Sequence, residues 1–428
     1  MTIAPSQERT LGTMGIWPLL ILITAALTYP IIEGHPSALQ GAASGGWTRL
    51  VFFSIAYLLA GVLVLPYFST VLATVRRMWV YLVLLVLIIS SASWSTYPDK
   101  VFFNFIHGIG LLLVAASAAL YASTRETGFF APVALVTTGI VVVSALVVYV
   151  NPGMGIEPID PWGVVVQRWR GITSNSNTLG STAATAICCS LIVSFAHPSR
   201  ARRLFSLVSI PFSAYVLIIG CKSMTSTVGA IAFVGVFLLL LSMEKDRPGT
   251  RWLKLCALGT LTFLGLCMLF LVNPDISLTD LFFKATGRSK TLTGRTLLWQ
   301  TAMYLIDMKP LLGWSFDSIA SARKFLSGTM AYGQFHNGYL DLTVRGGVVG
   351  LFLLLLMLIR SIRMGFRQVA SNYRKAAGTL ALLVFILIVN LAESNFVMEG
   401  GPVWFLFVSC WMSAEVQLYL SENAGSGR

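Results

Sequence analysis

The sequence predicts an all-α polytopic membrane protein with about twelve transmembrane helices and one large outer loop between the ninth and tenth. Three observations carry that expectation. Hydrophobic residues make up 56% of the 428 and charged residues only 11%, against about 25% charged in a soluble domain. The mean hydropathy is +0.78. Apolar runs close to the bilayer-crossing length of about 20 residues recur along the whole chain.

The runs lie near Met14 to Ile32, Leu50 to Tyr67, Met78 to Ser93, Val101 to Tyr121, Phe129 to Val150, Thr178 to Ala196, Leu204 to Gly220, Ser226 to Met243, Leu253 to Val272, Asn337 to Ile359, Ala376 to Leu391 and Val403 to Leu420. In lipid each must close its own backbone hydrogen bonds, so each is expected to be a helix. The first run follows a single Arg9, exceeds a signal-peptide core and lacks a convincing cleavage site, so it is expected to remain as a span. No internal repeat is visible, and low complexity is confined to the tail from Asn423 to Arg428. The chain 1–428 therefore reads as one membrane domain, with residues 273–336 as its embellished loop. Inside that loop, Leu298, Ala302, Leu305 and Ile306 have helical spacing over Arg295 to Met308. Thr293 offers an N-cap and Lys309-Pro310 a stop, and a second short helix is expected from Ser318 to Leu326.

The formal net charge is +13, but the basic residues form short clusters between apolar runs. That is a topology signal and excludes nucleic acid as the expected partner in favour of the lipid bilayer. Arg76 and Arg77, Arg125, Arg200 to Arg203, Lys245 to Lys254, and Arg360 to Lys375 follow the even-numbered spans. The even loops and both termini are therefore expected in the cytoplasm and the large loop outside. Cys188, Cys189, Cys221, Cys256, Cys267 and Cys410 lie in or beside apolar runs, without metal-ligand spacing, and read as small buried hydrophobes.

Candidate chemistry gathers on the outer side. His336 and Asn337 sit at the start of the tenth run, where a neutral imidazole can accept a proton from an attacking hydroxyl; a polar helix cap is the plain alternative. Asp341 and Arg345 are spaced for a pair one turn apart. Arg288 and Arg295, in Gly-Arg-Ser-Lys-Thr-Leu-Thr-Gly-Arg-Thr, suit phosphate because guanidinium groups match its oxygens two at a time and stay charged. Arg168, Arg170, Asn175 and Asn177 occupy another outer loop, and Lys222 a third. His107 falls within a span, as a functional candidate or as a hydrogen-bonded bundle residue. Asp275, Asp280, Asp307 and Asp317 are scattered with no Asp-x-Asp, so metal-independent chemistry, with fixed cations and no cofactor, is expected.

Several short motifs occur in a telling order: Ser93-Trp94-Ser95-Thr96-Tyr97-Pro98-Asp99, Gly287 to Trp299, Pro310-Leu311-Leu312-Gly313-Trp314-Ser315-Phe316, His336-Asn337-Gly338-Tyr339-Leu340-Asp341, and Glu393-Ser394-Asn395. Together they resemble the O-antigen ligase and Wzy-type polymerase superfamily, specifically its exopolysaccharide-polymerase (ExoQ-like) branch. The resemblance implies a GT-C-like glycosyltransferase that takes an oligosaccharide from an undecaprenyl-diphosphate carrier at the outer face of the inner membrane and passes it to a glycan or lipid acceptor. It also implies that His336 activates the acceptor hydroxyl and that Arg288 and Arg295 hold the diphosphate. Arg170, Lys222, Asn177 and Asn337 would complete the substrate contacts, and a flippase and a chain-length regulator would be partners. In two places the chain departs from the pattern: Asn175 and Ser176 replace a His-Lys, and Met224 stands at a usual cation position. The leading expectation is a polymerase of lipid-linked repeat units. A ligase that moves finished chains, and more remotely a non-enzymatic flippase or transporter, stay open.

Overall fold

A computed structural model describes residues 14–32, 47–157, 167–196, 199–246, 249–251, 254, 295–326, 333–369, 372–397 and 401–425. Helices α1 Trp17–Ile32, α2 Trp47–Val64, α3 Phe68–Arg77, α4 Trp79–Ser90, α5 Pro98–Ser123, α6 Phe130–Val150, α7 Ser176–Ala196, α8 Arg200–Tyr215 and α9 Met224–Ser242 come first. They are followed by α10 Arg295–Met308, α11 Ala320–Phe325, α12 Gly338–Gln368, α13 Tyr373–Val389 and α14 Pro402–Gly425. Among the described residues the only β contact is an isolated bridge between Ile156 and Trp169.

The all-α membrane class holds among the described residues. Eight described helices are long and apolar enough to cross a bilayer, and Trp17–Thr28 and Trp79–Ser93 are shorter apolar helices at the first and third expected positions. The helix α13, 17 residues long, stands at the eleventh. The expected ninth span and the stretch through Gly294, which carries Arg288, lie outside the described residues. Helix α10 has the bounds its spacing suggests, and α11 falls inside the second expected helix.

One group of helices packs α1, α2, α5 and α14 together, and another packs α6, α7, α8, α9 and α13; α12 touches α4, α10, α13 and α14 and ties the groups into one bundle. Lipid tails are as apolar as leucine, so such helices associate by close packing of small residues. That is what the contacting faces offer: Ala115, Ala116, Ala118 and Ala119 on α5, and Ala183, Ala184, Cys188 and Cys189 on α7, are buried. Polar groups turn inward and pair. Thr138 and Ser190 both hydrogen-bond the Ser209 hydroxyl, at 2.7 and 3.0 Å. His107 Nδ1 meets the Tyr57 hydroxyl, and its ring lies 5.2 Å from Phe53 and 5.8 Å from Phe405. For His107 this is the hydrogen-bonded bundle environment.

Helix α12 is broken where the chain from α10 meets it. Gly347 has φ 62° and ψ −164°, a region essentially reserved for glycine. Pro310 to Ser315 threads beside the break: Trp314 and Ser315 donate their N–H groups to the carbonyls of Val344 and Arg345, at 2.8 and 3.1 Å. Val348 and Val349 donate theirs to the carbonyls of Pro310 and Leu311, at 2.8 and 3.3 Å. The interrupted helix thus recovers hydrogen bonds from a second chain segment, which non-helical backbone in a membrane protein requires. A Cβ on Gly347 would lie 2.1 Å from the Leu311 carbonyl oxygen.

Gly347→Ala is therefore expected to lower stability by at least about 1–3 kcal/mol, read from thermal unfolding in detergent. Gly235→Ala, where a Cβ meets nothing within 4 Å, should stay within about 0.5 kcal/mol of the parent. Equal transitions for the two variants would show that the break accepts a side chain.

Candidate active site

The site is built on the turn that follows α13. Asn390 closes this turn by accepting from the Asn395 N–H at 2.9 Å through its side-chain oxygen. The first helical residue of α12, Gly338, donates its N–H to the carbonyls of Asn390 and Glu393, at 2.8 and 3.1 Å. The N-terminus of α12 and the turn are thereby fixed against each other, and the Glu393 side chain stands beside His336.

Glu393 gathers three distant side chains. Arg295, at the start of α10, donates from Nη2 to Oε1 at 2.9 Å, with the two side chains only 10% and 13% exposed. Asn177, in the first turn of α7, donates from Nδ2 to the same oxygen at 2.8 Å. His336 Nδ1 stands 3.5 Å from Oε2, a long contact. Burial alone would raise the Glu393 carboxyl above its ordinary value, but the hydrogen bond and charge of His336 and the guanidinium of Arg295 outweigh it and hold the group below that value. A carboxylate ringed by donors stays ionised.

His336 is held from both sides in a backbone conformation that side chains seldom adopt, with φ 50°. The N–H of Phe335 donates to Asp341 Oδ2 at 3.2 Å, and the Trp299 indole donates to the Phe335 carbonyl at 3.1 Å. On the other side, the Asn337 N–H donates to the Ser394 hydroxyl at 3.1 Å. Ser394 in turn donates to Asp341. Strain of this kind costs about 1–3 kcal/mol and persists where the surroundings over-determine it. The Asp341 carboxylate serves this clamp through Phe335 and Ser394 while the charge of Arg345, one turn on, also acts on it.

Across Glu393, a second strand of contacts leads outward. Asn177 Oδ1 accepts from Arg168 Nη2 at 2.7 Å. Arg168 also donates from Nε to the Cys221 carbonyl at 2.8 Å and stands 3.7 Å from Glu157. Glu157 accepts from the N–H and hydroxyl of Ser176, at 2.6 and 2.9 Å, and so caps α7. The segment is seated by Trp169, whose N–H donates to the Gly220 carbonyl at 3.0 Å. That carbonyl lies in the π turn Val216–Cys221, which ends α8 and leaves Lys222 with φ 50°.

Of the residues the sequence singled out, Arg295, Asn177 and His336 converge on one carboxylate. Asn337 caps α12, its oxygen accepting from the N–H groups of Tyr339 and Leu340 at 3.0 and 3.1 Å. Arg170 is buried and donates to the Met154 carbonyl at 2.9 Å. Lys222 is exposed beside the Arg168 segment, and Arg288 lies outside the described residues. Glu393 was visible only as part of a motif and Glu157 not at all. One of two acids between the last two apolar runs, Glu393 had its motif as its signal; Glu157 had none, since its partners are fixed by folding.

Residues 172–355 match the family model described as O-antigen ligase (Wzy_C). Within that stretch fall Asn177, Arg295 and His336, while Glu393 stands beyond it. The exopolysaccharide production protein ExoQ of Rhizobium meliloti (strain 1021) is 24% identical over 247 residues, which is 56% of this chain and 56% of that relative. The chain thus spans about half the length of the curated relative it matches.

Two outcomes follow from the shared carboxylate. Glu393→Gln and Arg295→Met should couple by about 0.5–3 kcal/mol in a double-mutant cycle on thermal unfolding; strict additivity would show that the pair is not a unit. Because the Glu393 carboxyl is held below its ordinary 4.5, its stabilising effect is complete above that pH and lost as pH falls through the folded value. Acid titration of unfolding should show this loss in the parent and a shallower decline in Glu393→Gln.

Proposed function

We propose that this protein is a glycosyltransferase that joins lipid-linked glycan units, a polysaccharide polymerase or ligase, with His336 as general base and Arg295 as an anchor for the leaving diphosphate. The observation that carries the reading is the meeting of His336 and Arg295 on Glu393, from chain positions 57 and 98 residues away. The O-antigen ligase family model matching the stretch that contains both residues supports it, as does the similarity to an exopolysaccharide production protein.

With Nδ1–H directed at Glu393, the imidazole presents Nε2 as its basic nitrogen. Nε2 takes the proton of the acceptor hydroxyl while that oxygen bonds to the anomeric carbon of the donor. The bond from that carbon to the diphosphate oxygen breaks, and the electron pair leaves with the carrier diphosphate. Attack opposite the departing group inverts the anomeric centre. The imidazolium that forms is stabilised by Glu393, and the charge building on the diphosphate by Arg295, whose guanidinium has five donors for both partners. Fixed cations do here what a divalent ion does elsewhere, so the reaction is metal-independent. The donor is an undecaprenyl-diphosphate glycan, met at the outer face of the inner membrane, and Arg288 would add a second cation.

Between the two acceptors we favour polymerisation, because ExoQ is named for exopolysaccharide production. Glycans from a deletion strain distinguish them: single unjoined units indicate a polymerase, long unattached chains a ligase. In vesicles supplied with a defined lipid-linked repeat unit, His336→Ala should lower turnover about 10²- to 10⁴-fold. Arg295→Lys should also slow it, since the charge stays but the two-point contact is lost. Normal polymer from His336→Ala at equal membrane abundance would remove this residue from the chemistry.

A further inference from the structure

The exposed side of α10 is divided lengthwise. At 100° per residue, Leu297, Tyr304 and Met308 fall within about 40° of one another, and all three are exposed, Leu297 to 69%. Gln300 and Asp307, with Met303 beside them, are exposed on a separate stripe. The remaining side, with Leu298, Ala302 and Leu305, is buried against the protein. The apolar stripe is what a helix lying where water meets acyl chains presents to the lipid.

The apolar stripe also has a continuation. Past the end of α10, Leu311 is 69% exposed and its carbonyl accepts from Val349 of α12. Val348 and Val349 begin the exposed apolar side of that spanning helix, whereas residues 341–347 are all buried. From Val348 to Arg363, the first exposed charge below it, the helix rises only about 22 Å. A hydrocarbon core is about 30 Å thick, so apolar surface is needed for about 8 Å above Val348, and α12 supplies none there. Leu311 and the α10 stripe do, and Lys309 stands at their edge, 4.3 Å from the Trp314 ring, as basic and aromatic residues do at membrane boundaries.

We propose that α10 docks in the plane of the membrane, with Leu297, Tyr304, Met308 and Leu311 seated among the acyl chains of the leaflet on the site's side. Arg295, at the N-terminus of α10, is then held at the depth of lipid phosphates. The inference rests on the surface of α10 and α12 and is independent of the glycosyl-transfer reading.

The test uses the full chain with single cysteines at Met308, Leu311, Gln300 or Asp307, labelled with a small fluorophore. The vesicles are of phosphatidylethanolamine and phosphatidylglycerol, and labelling of the unsubstituted protein gives the background. A nitroxide on an upper acyl carbon should quench the Met308→Cys and Leu311→Cys labels about twofold more than the other two, with aqueous iodide showing the reverse order. Equal access of iodide to all four positions would overturn the proposal by showing the helix clear of the bilayer. Shielding of Met308→Cys and Leu311→Cys from both quenchers would overturn it too, by showing that protein covers the stripe.

Discussion

A carboxylate removed from most of its water must be compensated by donors, or it will not stay charged. Glu393 meets that requirement with groups from three parts of the chain: the imidazole edge of His336, the guanidinium of Arg295 and the amide of Asn177. The constraint runs in both directions, because Arg295 is itself buried and needs an opposite charge close by. Each group therefore fixes the other, and the elements that carry them follow. The entry to α12, the start of α10 and the first turn of α7 are brought to one point.

The broken helix serves the same end from below. An uninterrupted α12 would have no backbone groups to share with the segment leaving α10. Opened at Gly347, it takes two hydrogen bonds from that segment and gives two. The far end of α10 is thus tied to the middle of a spanning helix while its near end is tied to Glu393. A helix of 14 residues held at both ends can keep an arginine on a carboxylate without a large core of its own.

Much of this was legible in the residues, for physical reasons that also explain the gaps. Apolar runs announce spans because lipid imposes one solution on the backbone. The bounds of α10 were readable because Lys309-Pro310 cannot extend a helix and Leu298, Ala302 and Leu305 mark its inner side. His336 stood out as an ionisable group at the rim of a span. The role of Glu393 was not readable, since its partners lie 57, 98 and 216 positions away and local pattern says nothing about such distances. The spacing of Asp341 and Arg345 told part of the story for a related reason: Arg345 acts on the carboxylate from one turn away, but Ser394 and the Phe335 N–H, brought in by the fold, bind it too.

The position of Glu393 after all its partners in the chain has a consequence for biosynthesis. A ribosome releases Arg168, Asn177 and Arg295 well before the acid that unites them, and the α10 to α12 junction also precedes it. During that interval Arg295 is without its counter-charge, whereas Arg168 already has Glu157. Completion of the cluster therefore waits for the turn after α13, and a chain that stalls before it is an assembled scaffold with an open circuit.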